Sequence, residues 1–216
     1  MSNDSGGGSY SSTLAHCAGK EEIFATLMIF HRMTNLLAFL FFTSEIMCAF
    51  PDVRGVSISY SGIHNDPLRR DEATFCKSQG ALLFNSAGNN GANLGANSVY
   101  PTGDADLDDI IAVGSTTSSD AKSSFSAYGT LVDLYAPGSS VYTTMTGNGY
   151  TYISGTSFSC PLAAGLAALI WSANPLLTPD EVKKLISGMV AVLLASNSLH
   201  PFLLLLTDVN SCRLRQ

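Results

Sequence analysis

The sequence predicts an α/β domain built on a mostly parallel sheet. Two observations carry that expectation. Residues 53–86 read as strand, helix and strand at the spacing of a βαβ unit, whose crossover is nearly always right-handed. Further short apolar segments follow at 109–114, 131–135, 141–145 and 150–154, and the last runs into a helix that is apolar on nearly every face. Such a helix is a buried one.

The elements can be justified in order. Residues 1–18 hold a Gly/Ser-rich loop followed by Tyr10-Ser11-Ser12-Thr13-Leu14-Ala15-His16-Cys17-Ala18, read as a short helix start. Residues 19–50 break the α/β pattern: from Ile23 to Phe50 the chain is dominated by Leu, Phe, Met and Ile, with Arg32 and Glu45 interrupting. The uncharged run 33–44 is shorter than the roughly 20 apolar residues a bilayer span needs, so a membrane span is not favoured. This stretch is read as an anomalous apolar insertion within the domain, of the kind that unspliced or mispredicted coding sequence produces.

From Val53 the chain reads as ordinary α/β protein. Residues 53–60 are a β-rich strand. Asp66 as N-cap and Pro67 at the first helical position open a helix that Gly80 ends. Residues 81–86 form the next buried strand, and Gly147-Asn148-Gly149 reads as a hairpin turn. Asn174-Pro175 breaks the buried helix, and Thr178-Pro179-Asp180-Glu181 opens another as a capping box. That helix is expected to degrade in the uncharged run 189–206, which contains Asn197, His200 and Pro201. Residues 189–216 are read as an apolar tail, with a membrane anchor as the competing, less favoured reading.

Composition bounds the function. With 216 residues, one core and one domain are expected. A formal charge of −6 argues against a nucleic-acid partner, because phosphate binding needs a basic face. Cys17, Cys48, Cys76, Cys160 and Cys212 show no Cys-x-x-Cys pair and no metal-ligand spacing, so buried free thiols are expected. The polar start of the chain is no signal peptide, and localisation stays undecided.

The chemistry centres on Gly155-Thr156-Ser157-Phe158-Ser159-Cys160-Pro161 and the Ala/Gly/Leu helix after it. A serine at a helix start meets unpaired N–H groups and the positive end of the helix dipole. That environment suits an oxygen that turns negative during a reaction. A lone Ser before an apolar run would be only an N-cap. The full string, however, closely resembles the nucleophile segment of the subtilisin-like serine proteases, the subtilases.

Other segments resemble the same family in the right order. They are Tyr100-Pro101, Ile110-Ile111-Ala112-Val113-Gly114-Ser115, Ser124-Phe125-Ser126-Ala127-Tyr128-Gly129 and Val132-Asp133-Leu134-Tyr135-Ala136-Pro137-Gly138. The Gly/Ser-rich start leading into Tyr10-Ser11 is also similar to a subtilase segment, and the resemblance covers about residues 1–18 and 53–188. It implies a three-layer αβα, subtilisin-like fold, incomplete at the N-terminus, with 1–188 a partial catalytic domain.

The resemblance further implies a serine endopeptidase acting on a peptide or protein substrate through an acyl-enzyme on Ser157. Asn89, in Ala87-Gly88-Asn89-Asn90-Gly91, falls where the family places the side-chain amide of its oxyanion hole, and Gly88 lies in the same substrate-facing turn. Ser59, Tyr60, Ser61 and Gly62 fall where the family pairs an edge strand with substrate backbone. Ser61 departs from the Gly usual there.

The family's triad runs Asp, His, Ser, and its first two members lie upstream of everything matched. None of His16, His31, His64 and His200 is followed by the Gly-Thr of the family's catalytic histidine, and Asp4-Ser5-Gly6 has no apolar strand before it. A serine without a positioned base is a weak nucleophile, so the chain is expected to be an N-terminally truncated fragment, inactive as written. The alternative is a non-catalytic peptide-binding or membrane-associated remnant of the same fold. A structural calcium occurs in the family, but the carboxylates of Asp104, Asp106, Asp108 and Asp109 lack the Gly and distal Glu of a calcium loop. They read as a solvated acidic loop, and no metal or cofactor is expected.

Overall fold

A computed structural model describes residues 11–16, 23–28, 46–59, 67–95 and 110–196. Six strands form one sheet in the order of the chain: β1 (Ser11–His16), β2 (Ile23–Met28), β3 (Val53–Ile58), β4 (Leu82–Ser86), β5 (Ile110–Thr116) and β6 (Leu134–Pro137). β1 runs antiparallel to β2, and every later neighbour is parallel. α1 (Pro67–Ser78) links β3 to β4. β7 (Val141–Met145) and β8 (Gly149–Ile153) make a separate hairpin, followed by α2 (Thr156–Ala173) and α3 (Pro179–Ser196).

Strand alternation explains the layers. Side chains along a strand point to opposite faces in turn. Leu82 and Phe84 of β4, with Ile111 and Val113 of β5, pack against Ala163, Ala164, Ala167, Ile170 and Trp171 of α2 and Val182 and Ile186 of α3. Their neighbours Leu83 and Ile110 face the other way, onto Ala73 and Cys76 of α1. β4 and β5 are buried along their whole length, as expected of parallel strands covered on both sides. The three-layer αβα architecture read from the sequence is the one observed.

Several local expectations require correction. The segment read as a helix start is strand β1; its Ser-Ser-Thr run favours extended backbone, and all six residues pair with β2. Within the apolar run 19–50, read as an anomalous insertion, residues 23–28 form β2, between β1 and β3. Cys48, from the same run, is disulfide-bonded to Cys76 of α1, where free thiols were expected. α3 continues as helix through Ser196, into the segment read as a tail. β6 begins at Leu134 because the N–H groups of Leu131 and Val132 are used in a turn, bonding Leu94 O and Gly129 O.

Other features follow the expected chemistry. α1 ends in a Schellman motif: Gly80 (φ +82°) donates to Lys77 O and Ala81 donates to Cys76 O, both at 2.9 Å. α3 opens with the reciprocal bonds of a capping box between Thr178 and Glu181. Among the described residues one helix, α2, is long and apolar enough to cross a membrane, and half of it is buried inside the protein.

Candidate active site

The site lies at the carboxyl ends of the parallel strands, where open α/β sheets place their ligands. Ser59 follows β3, Gly88 and Asn89 follow β4, and Gly138 follows β6. The N-terminus of α2 comes to these three strand ends. Gly155 N–H donates to Gly138 O at 2.8 Å, which docks the start of the helix against β6. A methyl group on Gly138 would lie 2.8 Å from Gly155 O and collide with the hydroxyls of Ser115 and Ser159, so only glycine fits.

Ser157 is in the first turn of α2, one residue inside a helix whose N-cap is Gly155. It is therefore not itself a cap. Its side chain is half-buried, and its Oγ donates to Ser59 O at 3.4 Å, a long bond that leaves the hydroxyl weakly held. The Ser59 hydroxyl returns a bond to Ser157 O at 2.7 Å, fixing the end of β3 to the helix. The N–H of Ser157 belongs to the first helical turn, where no intrahelical acceptor exists.

Asn89 is exposed, and its amide oxygen accepts from both the N–H and the Oγ1 hydroxyl of Thr156, each at 2.9 Å. A backbone N–H can only donate, so the atom facing it is the carbonyl oxygen and the Nδ2 group points away. Nδ2 lies 3.5 Å from the position a Gly155 methyl would take, and Ser157 N lies 3.8 Å from the same point. The Asn89 amide nitrogen and the Ser157 backbone nitrogen thus lie near one another at the start of the helix, with the Phe158 ring 3.7 Å from the same point. Thr156 Oγ1 also accepts from the buried Gly88 N–H at 3.2 Å.

Cys160 closes the site from below. Its thiol touches Ser57 Oγ at 3.3 Å and is fully buried. Burial pushes it up to about 12, the bonds to Ser57 and Ile58 O opposing this only in part, so it is an inert thiol.

Of the expected site residues, Ser157, Asn89, Gly88 and Ser59 come together. Tyr60, Ser61 and Gly62 lie outside the described residues, as do His31, His64, His200 and the acidic loop from Asp104 to Asp109. His16 pairs with Ile23, which is in register with Val53 at the opposite end of the sheet. Its backbone is thus about 20 Å along the strands from Ser59. No cluster of three metal-ligating side chains occurs among the described residues. Thr156 and Gly138 were not singled out from the sequence; both sit inside quoted motifs, but their work is visible only once the strand ends are assembled.

Comparison with known proteins bears on the family and the fold. The family model described as Peptidase_S8, Subtilase family, matches residues 52–197. Subtilisin DY of Bacillus licheniformis is 35% identical over 134 residues, which is 62% of this chain and 48% of that protein. Thermitase of Thermoactinomyces vulgaris is 38% identical over 117 residues, covering 54% of this chain and 40% of that one. The crystal structure of a cold adapted subtilisin-like serine proteinase superposes with a TM-score of 0.63 at 31% identity, covering 70% of this chain and 54% of its own. The chain spans about half the length of subtilisin DY and less of thermitase.

Proposed function

The chain belongs to the subtilase family, and we propose from that premise that Ser157 is the nucleophile of a serine endopeptidase site. Attack on a peptide carbonyl would form an acyl-enzyme on Ser157 Oγ and expel the amine. The developing oxyanion would be met by Asn89 Nδ2 and the Ser157 N–H. The observation that carries this reading is the Asn89–Thr156 pairing, which fixes the amide oxygen on Thr156 and leaves the Nδ2 donor free of it beside the first turn of α2. Such donors stabilise charge that is absent from the ground state, and this makes them catalytic rather than merely adhesive.

The substrate is a peptide or protein strand lying beside the end of β3 near Ser59. The 216-residue chain alone is hydrolytically silent in this reading. Ser157 Oγ bonds a carbonyl oxygen, which cannot take its proton, and His16 stands at the far end of the sheet. Among the described residues no histidine stands beside Ser157 Oγ, and without a positioned base the hydroxyl is a weak nucleophile.

The test is a chimera joining this chain to the part of subtilisin DY that has no match in it. Expected are cleavage of a chromogenic peptide and fluorophosphonate labelling at Ser157, both abolished in Ser157→Ala. Asn89→Ala should cost about 10²–10³ in kcat, the magnitude measured for the corresponding amide in subtilisin. A folded chimera that binds peptide without cleaving it would instead support the non-catalytic remnant. Protease-like labelling of the 216-residue chain alone would overturn its silence.

A further inference from the structure

α2 carries a proline in its interior, and the carbonyl that this proline leaves unserved belongs to Ser157. An α-helical carbonyl accepts the N–H four residues further on, so Ser157 O would be paired with residue 161. That residue is Pro161, which has no N–H to donate and whose ring crowds the carbonyl four residues back. The i+4 donor is therefore missing for the very residue that carries the nucleophilic hydroxyl.

A donor comes from the sheet instead. Ser59, the residue after β3, is buried, and its Oγ donates to Ser157 O at 2.7 Å. The neighbouring contact between β3 and α2 is weaker. Cys160 follows Ser157 by three residues and so shares its helix face, and its Sγ stands 3.3 Å from Ser57 Oγ and 3.7 Å from Ile58 O. A thiol is a poor hydrogen-bonding group, so the Ser59 bond is the firm link at this end of the strand. Ser59 also accepts Ser157 Oγ, through its own carbonyl, at 3.4 Å. Two bonds thus run in opposite directions between the same two residues, one to the backbone of Ser157 and one from its reacting oxygen.

We infer that Ser59 is a positioning residue for Ser157: its hydroxyl replaces the helical donor that Pro161 withholds, and so fixes the peptide of the nucleophile against the end of β3. The inference rests on the protease reading and adds to it how the serine is held. Pro161 and Ser59 act as a pair. A helical donor at 161 would tie Ser157 O to α2 alone. With Ser59 as donor, the nucleophile is registered on the strand end beside which the substrate lies. Register of this kind matters to rate, because a misplacement of about 1 Å costs on the order of 10².

The experiment is a double-mutant cycle, run in the 216-residue chain and in the chimera with subtilisin DY. In the chain, Ser59→Ala leaves a part-buried carbonyl without its donor and should lower the folding equilibrium constant about tenfold. In a Pro161→Ala background residue 161 regains its N–H, and the same Ser59→Ala should then cost no more than about twofold. Urea unfolding reads both. If Ser59→Ala alone does not fold, the Ser59→Ala/Pro161→Ala double variant should, and its failure would count against the inference. In the active chimera Ser59→Ala should lower kcat about tenfold with KM within about twofold, and Ser59→Thr, which keeps the hydroxyl, should restore kcat. A merely structural hydroxyl would move the urea midpoint and leave kcat alone. Equal costs of Ser59→Ala in the two backgrounds overturn the pairing with Pro161, and an unmoved kcat overturns the positioning. A folded chimera that never cleaves, with the coupling in the chain intact, sinks the protease reading and leaves the clamp on residue 157 standing.

Discussion

Thr156 holds Asn89 by two hydrogen bonds to one oxygen, from its N–H and from its hydroxyl, both 2.9 Å long. The amide cannot turn over without depriving both donors of an acceptor. The Thr156 hydroxyl is also the acceptor for the buried Gly88 N–H, so one side chain connects the end of β4 to the start of α2.

Replacing Thr156 by Val should therefore act on stability and on chemistry. It removes one hold on Asn89 and leaves the Gly88 N–H without its acceptor, at a cost of about 1–3 kcal/mol. Thr156→Ser should remain near wild type. In the active chimera, Thr156→Val should lower kcat with little change in KM, because a loosened Asn89 loses transition-state contact rather than substrate affinity. Denaturant unfolding and steady-state kinetics check the two halves. Equal behaviour of the Val and Ser variants would mean that the hydroxyl positions nothing.

Two glycines should respond in opposite directions to the same added methyl. Gly138→Ala places a carbon 2.8 Å from Gly155 O and against the hydroxyls of Ser115 and Ser159. Those neighbours are backbone and buried side chains, so destabilisation of about 1–3 kcal/mol is expected. Gly165→Ala enters open space in a helix interior and should stabilise the isolated chain by about 0.5–1 kcal/mol. Urea midpoints of the pair decide it; a neutral Gly138→Ala would show that the docking of α2 against β6 can relax.

Much of this fold was legible because its signals are local. The Pro67 start and Gly80 end of α1, the short apolar run of β4 and the Thr178/Glu181 box each need only a few adjacent residues. Ser157 and Asn89 were legible because each is set in a motif of fixed spacing. β1 and β2 were not: Leu14-Ala15-His16 suits several conformations, and Ile23–Met28 becomes a strand by pairing with β1 and β3. A bulge adds to this. Ile23 aligns with Val53 but Phe24 with Gly55, so Arg54 is the extra residue. Its guanidinium reaches the α2 side of the sheet, over the Trp171 ring and to Pro175 O at 3.4 Å. The Cys48–Cys76 bridge was equally invisible, since it joins two segments whose approach depends on the whole sheet.

Cys160 should be chemically silent in the folded protein. Its burial against Ser57 and Ile58 pushes the thiol up to about 12, so at pH 8 it holds almost no thiolate. Iodoacetamide at pH 8, with peptide mapping, should leave Cys160 unmodified until guanidinium unfolds the chain. The linkage has a definite sign. The folded-state value is raised, so the contribution is fully present below the unfolded value near 9 and is lost as pH rises from there toward 12. Rapid native alkylation would place the thiol at the surface and contradict the packing of α2 on β3.

The capping box of α3 should show the opposite dependence on pH. The Thr178 N–H and then its hydroxyl bond the Glu181 carboxylate, each at 2.8 Å, and hold it below the usual carboxylate range. A depressed folded value means that the stabilisation is present above the unfolded value near 4.5 and disappears as pH falls through the lower, folded one. Glu181→Gln keeps an acceptor in place but removes the titration. The stability gap between wild type and Glu181→Gln should therefore be open at pH 7 and shrink steadily below about pH 5. Thr178→Ala, which removes the hydroxyl cap, should cost about 1 kcal/mol at pH 7. Urea unfolding at pH 7, 5 and 3 measures both, and a gap for Glu181→Gln that ignored pH would show that the carboxylate charge contributes nothing to the start of α3.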